Sequence, residues 1–318
     1  MPPFILVSIG AGLLSAVLYG SAASGIGLSI IPMYLSPLPL FLVGLSYGGT
    51  AALFGGLSAT AALALAGGPM LAIAFFLANA IAPIILTHVA NWSRTFNGPN
   101  GQPVTEFYPT GYLFAWLGGI GMAIALALTL FMQSYEGGLT GWIPRIIELE
   151  GLSKAIIQAQ IQSGGAPTDE LVLQARLTGL VLPAVALFWS LISMGNGALA
   201  QQLAVRFGRN LRPSPELLTM YLPQFMLWPL IGGVALAFLP GDFGYFGSVL
   251  MTLAIIPYFF LGLATVHVIS HRLPGRAMAL TGLYLLLVAL GWPSLLIVGV
   301  GIIEHFANLR LTYGVVKP

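Results

Sequence analysis

Long apolar stretches occupy almost the whole chain, and glycine, proline or charged residues separate them. A helix needs about 20 apolar residues to cross a bilayer core about 30 Å thick. By this measure the pattern predicts spans at 4–23, 26–47, 49–67, 69–90, 110–133, 178–204, 221–240, 244–269, 276–291 and 293–309. The sequence therefore predicts an all-α, polytopic bundle of about 8–10 transmembrane helices.

Two regions of this pattern allow more than one structure. Pro37 and Pro39 lie inside the 26–47 span, where proline removes helical hydrogen bonds, so this span either continues or breaks into two half-helices. The last two spans are short and meet at Gly291-Trp292-Pro293. The 276–309 region therefore forms either a tight hairpin or a re-entrant pair.

The 134–177 segment interrupts the apolar pattern with charged residues. Its apolar residues recur at roughly helical spacing: Trp142, Ile143, Ile146, Ile147, Leu149, Ile156, Ile157 and Ile161. Such a pattern is typical of an amphipathic helix on the membrane surface, and a lid packed over the bundle is the alternative. The segment divides the chain into 1–133, with about five helices, an external part at 134–177, and 178–318, with about four to five more.

Composition supports a membrane location and excludes several chemistries. Charged residues make up 6% of the chain, against about 25% in soluble domains, and 58% of the residues are hydrophobic. The chain has no cysteine, which excludes disulfides, thiolate catalysis and iron–sulfur clusters. Its net charge of +2 gives no reason to expect nucleic acid. It carries no Walker loop, His-Glu-x-x-His or Gly-x-Ser-x-Gly motif, so we expect neither an enzyme nor a cofactor.

Basic residues predict the orientation, because lysine and arginine concentrate on the cytoplasmic side of membranes. With about ten spans and both termini inside, the cytoplasmic set is Arg94, Arg206, Arg209, Arg212, Arg272, Arg276, Arg310 and Lys317. The other basic residues lie in the 134–177 segment among acidic residues. The charges therefore favour cytoplasmic termini, although a different even number of spans would satisfy them equally.

Small residues recur at every fourth position of the first span and form a ridge with almost no side-chain bulk. This small-residue ridge consists of Ser8, Gly12, Ala16, Gly20 and Ser24. In lipid, small residues allow helix backbones to approach closely and so favour helix association. The ridge either packs against another helix of this chain or forms a docking face for another protein. No lysine or arginine precedes the span, which favours a retained helix over a cleaved signal peptide.

Polar residues inside apolar spans are candidates for a binding site, because burying them in hydrocarbon costs free energy. The candidates for a substrate pocket are Asn79, Asn196, Gln224, Trp228, His267, Glu304 and His305. Hydrogen bonding between helices is the alternative role for the asparagines, Gln224 and Trp228. His267, His271, Glu304 and His305 lie at one predicted end and are a minor candidate for a metal or proton-relay site. Glu304 and Arg310 are expected not to pair, because a spacing of six places them on different helix faces.

Several stretches of the sequence resemble the YybS-like family of bacterial membrane proteins. They are SIGAGLLSAVLYGSAAS (8–24), PLPLFLVGLSYGGTAALFGGLSA (37–59), AGGP (66–69), YLPQFMLW (221–228), FLGLATV (260–266) and GIIEHFANLR (301–310). The N-terminal region of that family is similar to the substrate-binding (S) components of energy-coupling-factor vitamin transporters. The resemblance implies that Gly12, Ala16 and Gly20 contact a coupling transmembrane subunit. S components typically have six helices, and this chain offers four to five more.

These observations lead to two functional expectations for a bacterial inner-membrane protein. The first is binding or transport of a small, uncharged or weakly charged metabolite, with energy supplied by a partner or an ion gradient. The alternative is a scaffold that does not transport and docks envelope or cell-division proteins through the small-residue ridge.

Overall fold

The computed structural model describes residues 3–24, 30–98, 101–135, 137–139, 141–143, 152–164, 166 and 169–313, which are mostly helical. The helices are α1 Pro3–Gly20, α2 Ile30–Tyr34, α3 Leu38–Tyr47, α4 Gly49–Phe75, α5 Ile81–Ala90, α6 Thr110–Met132, α7 Leu152–Gln162, α8 Glu170–Arg206, α9 Leu227–Ala237, α10 Asp242–Ile269, α11 Arg276–Leu290, α12 Pro293–Ala307 and α13 Leu309–Tyr313. Two strands, β1 Ser93–Asn97 and β2 Pro103–Phe107, form a hairpin.

The helices have the lengths and composition of membrane spans. Among the described residues, the stretches long and apolar enough to cross a bilayer are Ile30–Tyr47, Gly49–Ala90, Thr110–Met132, Gly179–Arg206 and Asp242–Arg272. Shorter apolar helices occupy Phe4–Gly20, Gln224–Ala237, Arg276–Leu290 and Pro293–Ala307. The predicted all-α, polytopic membrane class is confirmed.

The chain forms two compact units that cut across its linear order. Unit 1 contains Met1–Ile120, Trp189–Pro223 and Phe259–Pro318, and unit 2 contains Gly121–Phe188 and Gln224–Tyr258. Neither unit coincides with the sequence divisions 1–133, 134–177 and 178–318. Candidate functional residues occur in both units.

In unit 1, α4 and α5 belong to a helical hairpin whose first arm is the part of α4 before Gly68 and whose second arm is the rest of α4 together with α5. The chain bends at Gly68, whose φ of 86° lies in the left-handed region that glycine adopts readily, and Pro69 follows. The Cα of Gly49 faces His88, and Gly56 faces Ile84, so the two arms run antiparallel. The separate spans predicted at 49–67 and 69–90 match these two arms. After the bend, a π-helical turn at Phe76–Ala80 leads into α5, with the amide of Ile81 donating to the carbonyl of Phe76.

The predicted break in the second span is present. Helix α2 ends at Tyr34 and α3 begins at Leu38, with turn residues 35–37 between them. The amide of Leu38 donates to the carbonyl of Leu35 at 3.0 Å, which tightens the turn. Of the two structures that the prolines allowed, the half-helices are therefore the one adopted.

The small-residue ridge of α1 is covered by α4 of the same chain. Ser8, Gly12 and Ala16 are buried, and a side chain at Gly12 would collide with the backbone carbonyl of Gly55. Gly20 is exposed, and the side chain of Ser24 lies outside the described residues. Intramolecular packing therefore occupies Ser8, Gly12 and Ala16, and the expectation that these three residues dock another protein is wrong. The physical reason is that the small side chains leave room for a second helix, and α4 of the same chain occupies that room.

Among the described residues, two apolar clusters contribute to the core of unit 1. One surrounds Ala16 and contains Leu40, Ala59, Leu63, Phe75 and Ala80. The other contains Phe41, Leu45, Ala90 and Ala200. Helix α3 contributes to both clusters, so the half-helix after the break is fixed on two sides.

The β-hairpin between α5 and α6 was not predicted from the sequence. Its strands are antiparallel and pair Arg94 with Glu106 and Phe96 with Val104. The Arg94 guanidinium lies 2.6 Å from the Glu106 carboxylate in an exposed ion pair. A series of edge-to-face aromatic contacts connects the hairpin with neighbouring elements. Its members, each in contact with the next, are His88, Trp92, Tyr108, Tyr112 and Tyr221.

Unit 2 contains the part of the 134–177 segment that the structure describes. Ile143 is buried with Leu139 against Leu177, Val181 and Tyr245. Helix α7 ends at Gln162, and Gly164 follows with a φ of 77°, as the Gly-Gly-Ala-Pro stretch predicted. Residues 144–151, which carry part of the predicted amphipathic pattern, lie outside the described residues. Helix α8 begins at Glu170, earlier than the predicted start at 178.

Candidate functional site

Unit 1 contains a cavity of about 520 Å³ whose walls are mostly apolar. Helices α3, α5, α6 and α8 contribute to it, together with residues 212–217 of the loop between α8 and α9 (the 207–223 loop). The apolar walls include Phe41, Leu45, Leu86, Leu113, Phe114 and Leu117. The volume lies within the range of about 300–1,000 Å³ that small-molecule sites occupy.

Arg212 supplies a cation to this cavity. It is only 5% exposed, and its Nη1 donates to the carbonyl of Ala90 at 2.9 Å and to that of Tyr108 at 3.4 Å. Ala90 is the last residue of α5, where carbonyls lack helical partners and the helix dipole is negative. The Gln201 amide in turn donates to the carbonyl of Arg212 at 3.0 Å. Arg212 thus joins the 207–223 loop to the end of α5.

The charge of Arg212 has no carboxylate partner in the part of the chain that the structure describes. Ion pairs there include Arg94–Glu106 and Arg310–Glu304, and neither involves Arg212. Its guanidinium carbon lies 5.7 Å from the centre of the Phe107 ring, a distance compatible with a cation–π interaction. Burial lowers the pKa of Arg212, but guanidinium groups stay protonated at neutral pH. A cation with only carbonyl and ring partners therefore lies at the wall of an apolar cavity.

Thr87 lines the same cavity, but its hydroxyl oxygen does not face it. The residue is 1% exposed, and its Oγ1 has no hydrogen-bond partner among the described residues. The Oγ1 packs against Gly44 of α3, where an added Cβ would collide with it. Thr87 therefore adds no accessible polar group to the cavity.

The sequence did not reveal Arg212 or Thr87 as residues of a binding cavity. Arg212 contributed only to the predicted orientation, and Thr87 was not among the candidates. The one available signal was the position of Arg212 in Arg212-Pro213-Ser214-Pro215, a basic residue in a stretch whose prolines restrict the backbone.

The predicted site residue Asn196 bridges α8 to the break between α2 and α3. Its Nδ2 donates to the carbonyl of Tyr34, the last residue of α2, and to that of Ile192, both at 2.8 Å. Asn196 is 5% exposed, and its Oδ1 has no partner among the described residues. It is not among the cavity-lining residues, so it supports the broken helix instead of the cavity.

Asn79 has a similar supporting role in the π-helical turn. Its Oδ1 accepts a hydrogen bond from Ser36 Oγ at 2.9 Å, and the Ser36 carbonyl accepts one from the Ser15 hydroxyl. The neighbouring carbonyl of Ala78 accepts a bond from Trp189 Nε1 at 2.8 Å. Unpaired backbone groups are costly in lipid, and these side chains satisfy the carbonyls that the irregular segments release.

Replacement of Asn196 by leucine is expected to lower the free energy of unfolding by about 0.6–2 kcal/mol, because the carbonyl of Tyr34 loses its donor. Thermal unfolding of the purified protein in detergent measures the change. Asn97→Leu, on the exposed hairpin, is the matched control and is expected to leave stability nearly unchanged. Equal stabilities for the two variants would contradict the supporting role of Asn196.

Gln224 and Trp228 are not among the residues that line this cavity. Both belong to unit 2, where Gln224 is exposed and Trp228 is 72% exposed. They lie one helical turn apart, as predicted, but that face is outward. An outward tryptophan is common in membrane proteins, where the indole ring favours the interface.

The ionisable candidates in α10 and α12 make separate local contacts. His267 Nδ1 lies 2.9 Å from the carbonyl of Leu263, and its Nε2 lies 3.3 Å from the Tyr284 hydroxyl. His305 contacts the Phe306 ring. Across the described residues, no three His, Cys, Asp or Glu side chains form a group that could hold a metal. The minor hypothesis that these residues and Glu304 converge on a metal has no such cluster to support it.

Glu304 and Arg310 form a buried ion pair, so the expectation that they would not pair is wrong. Arg310 Nε lies 2.7 Å from Glu304 Oε1, and the Arg310 amide donates to the same carboxylate at 3.1 Å. Helix α12 ends at Ala307, and Asn308 adopts a left-handed φ of 48°, which turns the chain back toward Glu304. Helical spacing therefore does not apply across this pair. Arg310 also donates to the carbonyls of Leu218 and Met220, which fixes the 207–223 loop.

Comparison of the chain with family models, with curated proteins and with solved structures gave no match. The fold and the cavity define a polytopic α-helical membrane protein with an internal space of small-molecule size. The resemblance to the YybS-like family remains a prediction from the sequence.

Proposed function

We propose that this protein binds a small molecule in the unit 1 cavity and takes part in its transport across the membrane. The supporting observation is the cavity itself, about 520 Å³, with mostly apolar walls and a few polar residues that include Arg212 and Gln201. A few polar groups in a mostly apolar concavity are typical of small-molecule sites.

The interrupted helices of unit 1 favour transport over a purely structural role. Transporter sites commonly lie beside discontinuous membrane helices, whose irregular backbone is tolerated only where protein or a cavity surrounds it. In unit 1, the break at 35–37 and the π-helical turn at Phe76–Ala80 are joined through Ser36 and Asn79. The chain has no recognisable nucleotide-hydrolysis motif, so a partner or an ion gradient would supply the energy.

The proposed location is the bacterial inner membrane, with both termini in the cytoplasm. Arg212 contacts Ala90 and Tyr108, which flank the hairpin that carries Arg94. Arg310 contacts the same 207–223 loop that carries Arg212. Several basic residues therefore gather at one end of unit 1, which supports a cytoplasmic position for that end.

A relation to S components and their coupling subunit remains part of this proposal. The strip that contacts the coupling subunit in S components corresponds here to Gly12, Ala16 and Gly20, and α4 already covers the first two. A coupling subunit would therefore have to bind elsewhere, with Gly20 the one exposed member of the three. The scaffold alternative loses the same docking surface.

The test is a thermal-stability screen of purified protein against a library of vitamins, cofactors and amphiphiles, with a cavity-filling variant. Gly195 lines the cavity, and no neighbouring atom lies within 4 Å of the position of an added Cβ, so Gly195→Leu adds bulk there without a clash at Cβ. Compounds that stabilise the wild type are expected to have little effect on Gly195→Leu. Gly119→Leu, equally free of neighbours but not in the cavity lining, is the matched control and should respond like the wild type. A stabilising compound that acts equally on Gly195→Leu would contradict the cavity as the site.

A further inference from the structure

We propose that the ligand of the unit 1 cavity is an amphiphile with one anionic head group, a carboxylate or a phosphate, that binds at Arg212. The proposal rests on the binding function proposed above and names its substrate class. Arg212 provides the charge, and the apolar walls surround the body of the ligand.

The buried positive charge of Arg212 favours binding of an anion. A buried ion is costly unless it is paired, and the described part of the chain offers Arg212 no carboxylate. Its Nη1 and Nε donate to carbonyls, while Nη2 has no acceptor among the described residues. An anion in the cavity would supply the missing charge and an acceptor, and guanidinium binds carboxylate and phosphate through charge-assisted hydrogen bonds.

The hydroxyl of Thr87 does not take part in this head-group site. Its Oγ1 is buried without a hydrogen-bond partner among the described residues, and it packs against Gly44, which is not in the cavity lining. The head-group site therefore depends on Arg212 alone, and the anion is recognised by charge.

The shape and size of the remaining space limit the rest of the ligand. The walls from Phe41, Leu86, Leu113, Phe114 and Leu117 require an apolar ligand body. A volume of about 520 Å³ fits a single chain or a compact ring system better than the whole of a two-chain lipid. The ligand is therefore expected to be a small amphiphile, and a membrane phospholipid is the competing source of the same head-group chemistry.

The experiment uses the full chain in nanodiscs of phosphatidylcholine. The probes are decanoate and decyl phosphate, with decanol as the neutral control, and photoreactive diazirine analogues map the bound position by mass spectrometry. We expect the two anions to raise the unfolding temperature, to label cavity residues, and to bind about tenfold or more tightly than decanol. Arg212→Gln should remove this preference, and Arg212→Lys should keep part of it. Arg209→Gln, an exposed arginine of the same loop that contacts Tyr47, should behave like the wild type.

Each outcome supports or overturns a distinct claim. Equal binding of decanol and the anions in the cavity would overturn the anionic head group and leave the proposed function standing. Absence of cavity labelling by every probe, together with no hit in the library screen, would overturn the proposed function as well. Labelling by decanoate that phosphatidic acid in the nanodisc abolishes would assign the site to a lipid and overturn the small amphiphile. If Arg212→Gln does not fold, Arg212→Lys and the comparison of probes on the wild type decide the same question, because neither removes the positive charge.

Discussion

Replacing Gly12 with leucine is expected to destabilise the protein by about 3 kcal/mol or more, whereas the same change at Gly20 should have little effect. A side chain at Gly12 meets the backbone carbonyl of Gly55 and the hydroxyl of Ser58, and backbone cannot move aside as a flexible side chain can. At Gly20, no atom lies within 4 Å of the position of an added Cβ. Thermal unfolding in detergent, with both variants expressed in parallel, measures the difference.

This pair of variants also separates the two interpretations of the small-residue ridge. If Gly12→Leu retained wild-type stability and lost only the association with a membrane partner, the ridge would be a docking face and the packing of α1 on α4 would not hold. If Gly20→Leu alone disrupted a complex, the exposed end of the ridge would be the docking surface. Both variants change one glycine of the same helix to leucine. A difference between them in stability or association therefore reflects the position of the glycine along α1.

Replacing Glu304 with glutamine is expected to lower the free energy of unfolding by about 3–5 kcal/mol, because it leaves the buried Arg310 without its counter-ion. The Glu304 side chain is 3% exposed and that of Arg310 14% exposed. Glu106→Gln, which removes the exposed partner of Arg94, is the matched control and is expected to cost about 1 kcal/mol at most. Urea or thermal unfolding of both variants gives the comparison.

The double variant Glu304→Gln, Arg310→Met tests the cause of the Glu304 effect. If an uncompensated charge produces the loss, removing the charge should restore part of the stability. Arg310 also donates to the carbonyls of Leu218 and Met220, so full recovery is not expected. Equal losses for Glu304→Gln and Glu106→Gln would show that the buried ion pair contributes no more to the free energy of unfolding than the exposed one.

The sequence predicted the apolar helices of the fold well because their signal is strong and local. Runs of apolar residues bounded by glycine, proline and charge identify a span without knowledge of its neighbours. The bend at Gly68-Pro69 and the break near Pro37 were visible for the same reason, since both residue types restrict or free the backbone locally. No distant contact was needed for these predictions.

The candidate site was predicted poorly because its chemistry depends on contacts between distant segments. Arg212 belongs to the site through the end of α5, more than a hundred residues earlier in the chain, and through a cavity that periodicity does not reveal. Asn79 and Asn196 were correctly identified as unusual polar residues in apolar spans. The sequence could not show that the Ser36 hydroxyl already bonds Asn79 and that the Tyr34 carbonyl already bonds Asn196.

Local spacing rules also failed where the backbone leaves regular geometry. The rule that residues six apart face different directions holds within a helix, and Asn308 ends α12 between Glu304 and Arg310. The β-hairpin at 93–107 was missed because its strands are short and exposed, without the alternation of apolar and polar residues that marks a half-buried strand.

The π-helical turn at Phe76–Ala80 makes the length of this segment as important as its composition. Such a turn holds one residue more than regular α-helical geometry requires. Deleting a single residue there would let the α-helix close with little rotation of the flanking helices, but the residues within the turn would take new positions. The carbonyl of Ala78 would then turn away from the indole of Trp189, and the side-chain oxygen of Asn79 would turn away from the hydroxyl of Ser36. The protein should therefore tolerate the replacement of one apolar residue by another in this turn far better than the deletion of a residue.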